Sequence, residues 1–84
     1  MGNIGAAHQT LKREYDQARQ DMDTWERVAA AALQRDREDL ARAALHRKVA
    51  AQKKSDRLTQ QLSELVDVQL TLEQNRLRAA QRSI

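Results

Sequence analysis

The 84-residue chain contains no proline, cysteine or phenylalanine, one tryptophan, one tyrosine and two glycines. That composition excludes a compact aromatic core, disulfides, zinc–thiolate sites and thiol nucleophiles. The formal net charge of +3 is a mild basic excess, well short of the charge density of a dedicated nucleic-acid binder.

Alanine, leucine, glutamine, arginine and the acidic residues make up most of the chain, and these are strong helix formers. Both glycines lie at the start, Gly2 and Gly5, so from about Ala6 onward nothing breaks a helix. No run reaches the roughly 18 apolar residues that span a bilayer, and MGNIGAAHQT lacks the basic-then-apolar order of a secretory signal. A chain this short buries only about 60% of its unfolded surface even when compact, and an elongated fold buries less, so neighbouring chains are expected to add stability.

In chain order, residues 1–5 read as a flexible start, 6–34 as a first helix, 35–37 as a turn and 38–84 as a second helix. Together they make an all-α, antiparallel coiled-coil hairpin that self-associates. In the first helix Leu11, Tyr15, Ala18, Met22, Trp25, Ala29 and Ala32 follow at alternating steps of four and three, which is a coiled-coil seam. Lys12, Arg13, Glu14, Asp16, Arg19, Asp21, Asp23, Glu26 and Arg27 flank it as a solvated side.

The polar stretch Gln34-Arg35-Asp36-Arg37-Glu38-Asp39 marks the turn. Asp36 is expected to cap the new helix by accepting from its free amides, with Asp39 reaching back as capping-box partner and Glu38 favoured by the positive helix start. The alternative is a single uninterrupted helix through Asp36 that pairs with a second chain.

The second helix opens with Leu40, Ala44 and Ala51 and intensifies at Leu58, Leu62, Leu65, Val66, Leu70, Leu72, Leu77 and Ile84. Its apolar stripe drifts, fitting neither a seven- nor an eleven-residue repeat throughout, which predicts a nearly straight or slightly right-handed pair. Reversal at Asp36 sets opposite one another residues whose numbers sum to roughly 72. Leu11 then faces Leu62, and Tyr15 faces Leu58. The same register lays Glu14, Asp16, Asp21, Asp23 and Glu26 along Arg47, Lys48, Lys53, Lys54 and Arg57. Each such exposed pair is worth only about 0–1 kcal/mol, so charge selects register while the apolar seam stabilises. Residues beyond about Leu72 have no partner in their own chain under this register, which points to docking on another copy or to a segment of a longer protein.

The stretch WERVAAAALQRDREDLARAAL, Trp25 to Leu45, with the preceding LKREYDQARQDMDTW, Leu11 to Trp25, resembles the central hairpin of the phage shock protein A family and of its plastid and cyanobacterial relative, the vesicle-inducing protein in plastids. The order of Trp, Ala, Ala-Leu, Glu-Asp-Leu-Ala-Arg and Ala-Leu is fixed beyond what periodicity demands. One departure is that the family often places glycine in the turn, where this chain has Asp36.

The resemblance implies an ESCRT-III-like scaffold that forms rings, rods or filaments, binds membranes and reshapes them. It implies a position peripheral to the cytoplasmic side of an inner membrane, or to the stromal side of a thylakoid. Family members carry an amphipathic helix before the hairpin and further helices after it, and through those segments they meet anionic membrane. These residues contain neither, so the chain reads as a hairpin fragment or a naturally shortened relative. In proteobacterial members the hairpin also restrains an AAA+ transcription activator, which makes a regulatory binding module the alternative function.

Candidate interaction residues gather at the tip: Trp25, Arg35, Asp36, Arg37, Glu38, Asp39 and Arg42. Trp25 is expected to pack within the hairpin against Ala43, Ala44 or Arg47, or else to anchor an interface. In the resemblance Glu38, Asp39 and Arg42 belong to a contact surface between subunits. The run Arg42, Arg47, Lys48, Lys53, Lys54 and Arg57 is expected to pair with the acidic arm, anionic lipid being the alternative. Without interleaved aromatics it does not suit stacking on nucleic acid. His8 and His46 are isolated and read as solvated rather than as metal ligands, Ser55, Ser63 and Ser83 have no adjacent base, and no cofactor motif is present.

Overall fold

In the computed structural model, which describes residues 4–82, the chain forms two helices, α1 (Ile4–Gln34) and α2 (Glu38–Arg82), folded back on each other. The molecule is a rod of 73 × 17 × 15 Å. Helix α1 starts two residues ahead of the expected Ala6 and includes Gly5; the remainder of the expected flexible start, and Ile84, lie outside the described residues. The hairpin replaces the alternative of one uninterrupted helix.

The reversal is a Schellman turn. Asp36 N–H donates to the Leu33 carbonyl at 3.1 Å, and Arg37 N–H reaches over it to the Ala32 carbonyl at 2.8 Å. Such a turn requires one residue in the left-handed region, and Asp36 occupies it with φ 56°. Asp36 therefore terminates α1 and is not the cap of α2, contrary to expectation. The carbonyl of Arg37 accepts the first bond of α2, from Ala41 N–H at 3.0 Å. Glu38 and Asp39 place negative charge in the first turn of α2 and Arg82 places positive charge in its last, as the helix dipole favours.

The buried and half-buried positions of α1 are His8, Leu11, Tyr15, Ala18, Met22, Trp25, Ala29 and Ala32, with Asp21 beside them. In α2 they are Ala41, Ala44, Lys48, Ala51, Ser55, Leu58, Leu62 and Leu65. Both series run at steps of three and four, and each is the mirror of the other about the turn. The register sets Ala32 with Ala41, Trp25 with Lys48, Ala18 with Ser55, Tyr15 with Leu58 and Leu11 with Leu62.

The packed part of α2 thus follows a regular seven-residue repeat, the spacing of a left-handed pair. The expected drift came from counting apolar residues that do not pack. Leu40, placed in the seam by sequence, is 47% exposed, and Ala41 takes the seam position instead. Val66, Leu70, Leu72 and Leu77, counted in the same series, likewise lie in solvent.

Small side chains make up most of the buried seam. Ala18, Ala29, Ala32, Ala41, Ala44 and Ser55 are buried, and side chains this small let two backbones approach closely. Leu58, 4% exposed, is the only large side chain among the described residues in the buried class, and burying a leucine contributes about 1.5–3 kcal/mol. No buried side-chain polar atom among the described residues lacks a partner. From Val66 onward every described residue of α2 is exposed.

Two outcomes follow for stability in urea. Asp36→Gly removes the cost of a β-carbon in the left-handed region and is expected to raise unfolding free energy by about 0.5–1 kcal/mol, read from the midpoint followed by circular dichroism. Leu58→Ala is expected to lower it by about 2–3 kcal/mol, while Leu70→Ala changes the dilute chain by less than about 0.5 kcal/mol.

Candidate functional site

Beside the seam at the closed end of the hairpin lies an open groove of about 480 Å³. Trp25, Val28, Ala31 and Ala32 of α1 form one wall, and Leu40, Ala43, Ala44 and Arg47 of α2 the other. Arg35 and Arg37, from the turn, close its end. Val28 is 41% exposed, so together with Leu40 it leaves an apolar floor open to water.

Trp25 occupies a seam position and is half-buried, as its place on the stripe with Met22 and Ala29 requires. The guanidinium of Arg47 lies over its indole, 5.5 Å from the ring centroid. This pairing holds Arg47 along the groove edge and gives about 0.5–1 kcal/mol at an exposed site. Lys48, the next residue, turns into the seam and its ammonium meets Glu26 across the hairpin at 3.3 Å.

Lys48–Glu26 is the one ion pair between the arms among the described residues. The expected zipper of acidic against basic arms reduces to this contact. Lys53, Lys54 and Arg57 are exposed, as are Glu14, Asp16 and Asp23. Long side chains in water gain too little from pairing to be ordered.

Of the tip residues named from sequence, Trp25, Arg35 and Arg37 share the groove, whereas Glu38, Asp39 and Arg42 do not line it. Arg37 forms a two-pronged pair with Asp39, Nε to Oδ1 and Nη2 to Oδ2, each 3.3 Å. Asp39 also meets the amides of Leu40 and of its own backbone, unpaired donors of the first turn. The Arg37 hydrogen bonds, aided by these amides, hold the Asp39 carboxyl below the usual carboxylate range. Asp39, in the first turn of α2, thus meets free amides there, and it fixes Arg37 at the end of the groove.

Val28 escaped the sequence reading, and Leu40 was read as a seam residue rather than as part of a groove. The signal present was two large apolar side chains near the turn, one on each helix, just outside the packed stripe. His8, expected in solvent, is half-buried in the seam layer shared with Leu65, and His46 is exposed. Among the described residues no three His, Cys, Asp or Glu side chains gather as metal ligands.

A second exposed apolar surface lies at the open end, on α2 beyond the last packed layer. Val66, Val68, Leu70, Leu72 and Leu77 are each 41–57% exposed there. No helix among the described residues is long and apolar enough to cross a membrane.

A slender coiled-coil hairpin with apolar surfaces at both ends is the architecture of a structural strut. The model of the PspA/IM30 family matches residues 2–83, and the chain belongs to that family of membrane-stress scaffolds, whose members self-assemble. No curated protein and no solved structure matches the chain.

Asp39 supplies a pH test. With its pKa lowered by folding, its contribution is complete above the ordinary carboxylate value of about 3.9 and disappears as pH falls through the lowered one. The thermal midpoint of the wild-type chain is expected to exceed that of Asp39→Asn at neutral pH, and the difference to shrink as pH falls below the ordinary carboxylate value.

Proposed function

We propose that this chain is the rigid hairpin of a membrane-stress scaffold and that it acts by assembling with copies of itself. The observation that carries the reading is the exposed apolar stretch of α2 beyond Leu65, in a chain matching a self-assembling family over 2–83. Contiguous apolar surface of this kind marks a protein contact more often than a free face. The role is structural rather than catalytic, the place of action the cytoplasmic side of an inner membrane or the stromal side of a thylakoid. Anionic lipid is met through the helices that flank the hairpin in the family. The exposed cations Lys53, Lys54 and Arg57 contribute about 1 kcal/mol each when close to such a surface.

A second reading, docking on an AAA+ transcription activator, draws on the tip groove, where a half-buried tryptophan lies against exposed Val28 and Leu40. Trp25→Ala weakens capture of such an ATPase under that reading and leaves self-assembly less affected.

Light scattering of the purified chain over increasing concentration tests the first reading. The weight-average mass is expected to rise well above the monomer's 9.6 kDa. A constant monomer mass up to millimolar chain rules out self-assembly by the hairpin alone.

A further inference from the structure

We propose that the arginine-rimmed groove at the tip of one hairpin receives the acid-flanked apolar stripe Val66–Leu70 on α2 of a second copy, joining molecules tip to tail. This rests on the self-assembling reading above and adds the two surfaces that meet.

The groove combines an apolar floor with three cations. Val28 and Leu40 are 41% and 47% exposed, and Arg35, Arg37 and Arg47 surround them, with no carboxylate in the lining. Arg37 is occupied by Asp39, but Arg35 and Arg47 form no ion pair within the described chain. A bare anion at this rim leaves the floor in water. The fitting occupant carries aliphatic side chains with carboxylates beside them.

The sequence of α2 contains that occupant once. Between Arg57 and Arg76 there is no basic residue, while Glu64, Asp67 and Glu73 fall within the interval, Glu73 being paired with the bounding Arg76 at 3.0 Å. At about 100° per residue, Val66, Leu70 and Leu77 lie within about 40° of one another, with Glu73 about 20° to one side and Asp67 about 60° to the other. This stripe lies about 75–115° from the mean direction of Leu58, Leu62 and Leu65, to one side of the face that meets α1. Val66, Leu70 and Leu77 are 41%, 57% and 56% exposed.

A hairpin does not satisfy itself by this contact. Groove and stripe are about 40 Å apart along α2, taking residues 44 and 70 as their centres at 1.5 Å rise per residue. The contact is heterologous, each copy offering its tip to one neighbour and its stripe to another, so it propagates as an open, staggered chain.

Charge reversal on each surface tests this with the full chain. One variant carries Arg35→Glu and Arg47→Glu, the other Asp67→Lys and Glu73→Lys. Each alone is expected to assemble only at concentrations at least about tenfold above wild type, because like charges now meet at the contact. Mixed in equal amounts, they regain assembly, the reversed groove of one binding the reversed stripe of the other. Restoration requires both chains to be folded, so misfolding cannot imitate it. Wild-type assembly with either variant unaffected, or with no recovery on mixing, overturns this contact alone. A wild-type chain that stays monomeric at every concentration removes the self-assembling reading as well.

Discussion

A single backbone hydrogen bond, from Arg37 N–H to the Ala32 carbonyl, ties the end of one helix to the start of the next. With the partner bond from Asp36 N–H to Leu33 it satisfies carbonyls that α1 would otherwise leave open, and it fixes the direction in which α2 departs. Every layer of the hairpin inherits its register from that point. Slipping α2 by one residue rotates its contact face by about 100°, which sends Ala41, Ala44 and Ser55 out of the seam and brings in Arg42 or Asp56.

The seam built on this turn is close rather than deep. Alanine and serine at its inner layers allow the helices to approach, but each buries little apolar area. Leucine, tyrosine, methionine and tryptophan supply more, yet most are only half-buried, because a two-helix rod has no third wall. A fold of this shape has a small margin of stability on its own, and anything that binds its folded form adds to that margin by mass action. Stability and assembly are therefore coupled: the surfaces that remain wet in the single chain are those a neighbour can cover.

Much of the fold was legible in the sequence because α1 is an unusually clean periodic text. Leu11, Tyr15, Ala18, Met22, Trp25, Ala29 and Ala32 mark one stripe without competitors, and the facing of Leu11 with Leu62 and Tyr15 with Leu58 followed from reflecting it. In α2 the text is ambiguous, since apolar residues outnumber seam positions. Leu40 looks like the start of a seam, but only the turn geometry decides that Ala41 points inward. Asp36 was misplaced for a related reason: aspartate is a common helix cap, and its tolerance of the left-handed region is a rarer use of the same short polar side chain. The groove was the least legible part, because Val28 and Leu40 become one surface only after the chain has turned.

The surplus of apolar residues in α2 is also what makes the molecule polar from end to end in the sense that matters for assembly. Here the exposed Val66, Val68, Leu70 and Leu72 of α2 fall within an interval that carries acids and no bases. The turn, by contrast, concentrates Arg35, Arg37, Arg42 and Arg47 within thirteen residues. The arginine-rimmed groove and the acid-flanked stripe, each with uncovered apolar surface, attract one another across copies more strongly than like surfaces do. Contacts between unlike ends do not close on themselves by two-fold symmetry, and a rigid rod cannot bend to bring its own ends together. Growth by addition is then the natural outcome of an arginine-rimmed groove at the tip and an acid-flanked apolar stripe far along the same rod.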